Sequence, residues 1–157
     1  MQKYTTELKW AIIFTVATLL WMVFEKAMGW HDVAIADHPK YTNLFIFIPV
    51  VIYALSMVEH RKKLGGLMTW KQGFMFGMRV TVIVVLLAPL AQWLTHTFIT
   101  PDYFQNAINY AVEHNIAPKE QLEAYFNLKS YIVQGVLMGL VLGAFTSAVV
   151  ALIFRRK

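Results

Sequence analysis

From Ser130 to Phe154 the chain carries no charged residue, and most of its side chains are Leu, Val, Ile, Phe, Ala or Gly. As a helix rising about 1.5 Å per residue, this run crosses a hydrocarbon core of about 30 Å. A helix on the surface of a water-soluble domain is apolar along one stripe only. This one is apolar on all sides, which commits the chain to lipid before anything else is read.

Three more blocks follow the same rule, so the expected spans are about 8–28, 41–58, 73–100 and 130–154. Composition agrees: 58% of residues are apolar and 15% charged, against about 45–50% and about 25% in soluble domains. The fold class is all-α: an integral membrane four-helix bundle, one transmembrane domain over residues 1–157. Thr5 or Thr6 is expected to cap the first span, and Pro49 and Pro89 to kink the second and third. A cleavable leader is the rival for the first span, but Ala34-Ile35-Ala36 lies too far past the apolar run to be its cleavage box.

Charge placement sets orientation. Lys3 and Lys9 precede the first span, Arg61, Lys62, Lys63 and Lys71 follow the second, and Arg155, Arg156 and Lys157 follow the fourth. The other two connections hold Lys26 and Lys40, and Lys119 and Lys129 among Asp102, Glu113, Glu120 and Glu123. The positive-inside rule then puts both termini and the middle loop in the cytoplasm. The net charge of +5 reports topology and anionic headgroups rather than nucleic acid. Tyr41, Trp70, Trp93 and Tyr131 fall near span ends, as interfacial aromatics do.

Between spans three and four, Thr100-Pro101-Asp102 reads as a helix start. Tyr103, Phe104, Ala107, Ile108 and Ala111 recur at helical spacing. Asn115-Ile116-Ala117-Pro118 interrupts them, and a second short helix begins at Lys119. A periplasmic helical hairpin over 101–128 is expected, as a cap on the bundle or a docking surface. On the cytoplasmic side Gly65-Gly66 reads as a turn and Thr69 as a helix cap.

Gly135, Gly139, Gly143, Ser147 and Ala151 recur every fourth residue and share one helix face. Small residues let backbones approach closely where no hydrophobic drive operates. The partner of this face is either the third span, where Gly73 and Gly77 offer a matching groove, or a second copy.

Ionisable residues inside spans are costly and default to a functional reading. Arg79 enters the third span by about 9 Å at about 1.5 Å per residue, far from Glu25 at the opposite face, so the two are not expected to pair. Lys71 and Arg79 are candidates for anionic-lipid contact, with snorkelling to headgroups the plainer alternative. Glu25, Gln92, His96, Lys129 and Gln134 share a depth in the outer half and form a candidate polar cluster. His31, Asp32, Asp37 and His38 are metal-ligand types on an external turn, but their spacing matches no established motif. Capping and interfacial hydrogen bonds are expected of them, with no metal. Cysteine is absent, and no Walker-type loop, GxSxG, HExxH or paired-carboxylate motif occurs. No catalytic residue, cofactor or enzymatic activity is expected.

Several strings, in order, resemble one family: Gly29-Trp30-His31-Asp32, Tyr41-Thr42-Asn43, Met68-Thr69-Trp70-Lys71-Gln72-Gly73-Phe74, Phe98-Ile99-Thr100-Pro101-Asp102-Tyr103-Phe104, and Tyr125-Phe126-Asn127-Leu128-Lys129-Ser130-Tyr131. Together they resemble the DUF4199 family of small four-span membrane proteins of Bacteroidota, over nearly the whole chain. The resemblance implies an inner-membrane protein of unknown function, with no catalytic residues to carry over and a setting near polyprenyl-phosphate glycosyltransferases.

The expected function is a non-enzymatic accessory or scaffold subunit of the bacterial inner membrane. It would pack through the fourth-span face with itself or with a membrane partner such as such a glycosyltransferase. The alternative is a small transporter or channel-like protein with a polar site around Glu25. The lipid bilayer is a partner in either case, and nucleic acid in neither.

Overall fold

The computed structural model describes residues 4–156 and is helical throughout. Lys3 and Lys157, used above for orientation, lie outside the described residues. The long elements are α1 (Thr5–Ala27), α3 (Phe47–Lys63), α4 (Trp70–Leu94) and α7 (Leu128–Phe154). The short ones are α2 (His38–Tyr41), α5 (Tyr103–Glu113) and α6 (Lys119–Tyr125). Four helical segments are long and apolar enough to cross a membrane: Thr5–Ala27, Ile35–Lys63, Trp70–Ile99 and Leu128–Phe154.

The second segment is longer than the expected 41–58. The chain is helical from Ile35, passing through a 3-10 turn, α2 and a further 3-10 stretch over Thr42–Ile46 before α3 begins. Pro39 enters the first turn of α2 and Pro49 the first turn of α3. At Pro49 the missing N–H falls where the 3-10 stretch gives way to α3. Pro89 is inside α4 and does remove a ladder donor.

Helix ends follow side-chain chemistry in some places and not in others. Thr69 caps α4 in a reciprocal box with Gln72, and Asn127 caps α7 by accepting from the Ser130 amide. α1 starts after Tyr4 with no side-chain cap, and the Thr6 hydroxyl accepts from Lys63 instead. Thr100 is not the cap of α5, which begins two residues later, after Asp102.

The core gathers Ala11, Tyr53, Met57, Phe76, Val80, Val150 and Ala151 from all four long helices and Met68 from the α3–α4 connection. α4 and α7 run antiparallel in a strict register. Each step of four along α4 meets a step of four back along α7: Gly73 with Ala151, Gly77 with Ser147, Thr81 with Gly143, Val85 with Gly139. A Cβ on Gly143 would fall 2.4 Å from Thr81 Cγ2, and one on Gly77 would fall 2.5 Å from Ser147 Oγ. These glycines let the backbones approach. The register would next bring Pro89 to Gly135. Instead only Gln92 Nε2 comes near, 3.6 Å from a Cβ placed there, so the approach at Gly135 is looser than at the four pairs before it. The opposite face of α7, with Leu137, Val141, Phe145 and Ile153, is exposed. In a chain of this composition that face meets acyl chains.

The bundle thus has two unlike ends. At the basic end are the starts of α1 and α4 and the ends of α3 and α7, tied by Lys9 and Trp10 to Glu59, Arg61 to the Phe154 carbonyl, and a backbone bridge between Met68 and Arg156. At the capped end α4 loosens into a π-helical turn over Thr95–Ile99. α5 and α6 follow and meet through Ile108, Ala111 and Leu122.

Candidate functional site

At its C-terminus α1 is followed by Gly29 at φ +76°, the left-handed position that glycine adopts without cost. The Trp30 amide donates back to the Glu25 carbonyl and the Gly29 amide to Lys26. This pair of bonds is a Schellman motif, and the accompanying apolar contact is the edge-to-face packing of Trp30 on Phe24 at 5.6 Å. The motif reverses the chain and folds the residue after Trp30, His31, over the last turn of α1. His38 then opens α2 from the other side.

Glu25 lies between them and is fully buried. Its Oε2 is 3.1 Å from His31 Nε2 and 3.5 Å from His38 Nε2. Its Oε1 accepts from the Trp21 indole N–H at 2.7 Å, one turn earlier on α1, and Thr42 contributes a further side-chain hydrogen bond. Among the described residues no Lys or Arg forms an ion pair with Glu25. A buried carboxylate needs hydrogen bonds and compensating charge. Here the hydrogen bonds come from an indole and an imidazole, and no Lys or Arg supplies the charge.

α5 closes the group. The Tyr103 hydroxyl is 3.4 Å from His38 Nδ1 and 3.3 Å from the Tyr131 hydroxyl, and its ring leans on His31 at 5.0 Å. Burial pushes the Tyr103 phenol up, so it stays protonated and available as a hydrogen-bond donor. Asn106 donates to the His31 carbonyl, and Lys26 donates to the Ile99 carbonyl. The first ties the loop after α1 to α5, and the second ties the last turn of α1 to the π-helical turn after α4. His31 Nδ1 is buried without a partner.

The expected polar cluster is only partly assembled. His96 stands one layer behind the centre, stacked on Phe104 at 4.0 Å and edge-on to Tyr131, with no hydrogen bond to Glu25. Gln134 donates to Ser130 on its own helix, Gln92 faces Gly135, and Lys129 is exposed. Of the four loop residues, His31 and His38 converge. Asp32 is exposed and accepts from the next backbone amide, and Asp37 pairs with Lys40.

At the basic end Arg79 of α4 is bound to Glu7, Nε to Oε1 at 2.8 Å, at the opposite end of α1 from Glu25. Lys71 and Arg79 line one cavity of about 380 Å³ with His60 and Gln72. Arg79, Glu7, His60 and Lys63 line a second of about 700 Å³. The small-residue face of α7 is occupied by α4 of the same chain.

Reasoning from sequence missed three members of this picture. Glu7 was legible only as a first-turn acid. Trp21 is one turn from Glu25, the spacing at which helical side chains meet. Tyr103 is long-range and had no local signal. The turn itself was readable, since a glycine just past an apolar helix followed by Trp is the Schellman pattern.

The family described as "Protein of unknown function (DUF4199)" matches residues 9–156. No curated protein and no solved structure matches the chain.

Proposed function

Because the chain belongs to the DUF4199 family, whose function is unknown, and is a multi-pass membrane protein, we propose a function from the site around Glu25: it is a small transporter-like protein of the inner membrane that handles a cation or proton there. The carrying observation is a fully buried carboxylate on a membrane helix, faced by two histidines and by no fixed cation. Such a residue is expensive in a membrane and is retained for what it binds. Handling an ion needs no nucleophile, in keeping with a non-enzymatic role. The positive-inside rule puts the basic end in the cytoplasm and the site, with the helical hairpin over 101–128, on the periplasmic side.

Two experiments test this. In proteoliposomes, Glu25→Gln is expected to abolish proton or divalent-cation flux while the protein still inserts and folds. Wild-type vesicles with no flux above protein-free ones would refute the reading. Since the chain has no cysteine, a single Ile116→Cys variant reports sidedness. An impermeant maleimide is expected to label it from the periplasm.

A second reading is the accessory subunit, for instance beside a polyprenyl-phosphate glycosyltransferase. Val112, Ile116 and Tyr125 favour it, being apolar and exposed outside the four candidate spans. The α7 face supports it less, since α4 already fills it. Co-purification from native membranes that survives Gly139→Leu but is lost with Ile116→Arg would identify the hairpin as the docking surface.

A further inference from the structure

We infer that Glu25, His31 and His38 bind one divalent transition-metal ion of the zinc type, an inference that rests on the ion-handling reading of this site and names its ligand. One ligand atom from each residue lies within 4.8 Å of the others. With metal–ligand bonds of about 2.0–2.2 Å, neighbouring ligands of a tetrahedral ion stand about 3.4 Å apart. Two of the three separations, Glu25 Oε2 to the imidazoles at 3.1 and 3.5 Å, match that spacing, and the third, between the imidazoles, lies within 4.8 Å.

The donor set selects the metal class. Two imidazoles and one carboxylate suit zinc, cobalt, nickel or iron. Calcium and magnesium prefer an all-oxygen shell. Three protein ligands leave one position open, the pattern of sites that exchange or act on something rather than merely staple a fold.

The surroundings are those of a supported site. Trp21 holds Oε1, so the carboxylate presents Oε2 alone. His38 turns Nε2 to the centre while Nδ1 faces the Tyr103 hydroxyl, which continues to Tyr131. A ligating histidine is characteristically fixed in this way by a partner on its other nitrogen. His31, more than nine-tenths buried, turns Nε2 to Glu25 at 3.1 Å and leaves Nδ1 unpartnered. A divalent ion would also supply the positive charge that the buried carboxylate lacks from Lys or Arg. Asp32 and Asp37, turned outward, are outside the set.

The test uses the full chain without a histidine tag, in detergent or nanodiscs, stripped with chelator and titrated with Zn2+ by calorimetry and with Co2+ by visible spectroscopy. One equivalent is expected to bind, with Co2+ showing the intense ligand-field bands of a four- or five-coordinate ion. Glu25→Gln and His38→Ala are each expected to weaken binding by more than about a hundredfold, and Tyr103→Phe, which removes an outer support, by about tenfold. Asp32→Asn and Asp37→Asn are expected to bind as the wild type does. Folded wild type that binds neither ion overturns the inference, as does tight binding that persists in a His31→Ala/His38→Ala double variant. If metal binding is absent but flux still requires Glu25, the site carries protons and only the metal inference fails. If Glu25→Gln changes neither binding nor flux, both fail.

Discussion

α1 carries a buried carboxylate near each end, and the two are held in opposite ways. Glu7 is paired with Arg79, a permanent cation whose side chain remains 38% exposed. Glu25, with no exposure, faces only an indole and two imidazoles among its close side-chain partners, together with Thr42. Packing differs in the same direction. At the basic end the α4–α7 seam is closed to within van der Waals contact, whereas at Gly135 it is looser. One end is neutralised and closely packed. The other keeps a carboxylate whose charge is not cancelled by any fixed partner, in a looser part of the bundle. A site that must take up and release an ion needs the second kind of environment, and a fold that must hold together needs the first.

The largest effect that would test this contrast is at the tight end. Gly143→Leu drives side-chain atoms into Thr81, whose hydroxyl is already bonded to Tyr53 and to the Gly77 carbonyl. The expected cost is about 3 kcal/mol, the upper part of the range for overpacking, read as a lowered unfolding temperature in detergent. An unchanged unfolding temperature would mean that the seam is not closed there.

Next in size is Glu7→Gln, which leaves Arg79 without its counter-charge. Breaking a buried pair costs about 3–5 kcal/mol, but Arg79 is partly solvated and the amide still accepts its hydrogen bond. About 2 kcal/mol is therefore expected. Glu25→Gln should cost less, about 1 kcal/mol or under, because the amide oxygen still accepts from Trp21 and no fixed cation is orphaned. Denaturation of the two variants side by side checks the order. If Glu25→Gln is the more destabilising, an imidazolium stands beside Glu25 and the two ends are ion pairs alike.

How legible each end was follows from the range of the interactions that build it. The four spans, the Thr69 cap and the small-residue face of α7 depend on residues within a few turns of one another, and sequence periodicity reports those directly. The partner of the α7 face was ambiguous in the sequence, because glycine spacing says that two backbones approach and not whose. The Glu25 centre was half legible. Burial of a span carboxylate and two nearby histidines could be read as separate signals. Equal depth then suggested Gln92, Lys129 and Gln134 as its companions. Depth is only one coordinate, however, and the direction each side chain takes around its helix decided otherwise. Joining Glu25 to His31 required the reversal at Gly29, and Tyr103 required the packing of α5, which no local pattern encodes.

The smallest expected effect sharpens the contrast from the packing side. Gly135 belongs to the same every-fourth-residue face as Gly143, so the sequence alone gives both the same role. In the structure a Cβ at Gly135 meets only the Gln92 amide nitrogen at 3.6 Å, an ordinary contact with the end of a flexible side chain. Gly135→Ala therefore removes no close approach. It also gains helix propensity, about 0.8–1.0 kcal/mol for glycine against alanine in a helix interior, part of which tertiary packing already supplies. A change between zero and about 1 kcal/mol in the stabilising direction is expected, where Gly143→Ala should destabilise. Measured together by thermal unfolding, the two alanine variants should differ in sign. If both destabilise equally, the seam is closed along its whole length, and the looseness ascribed to the capped end is lost.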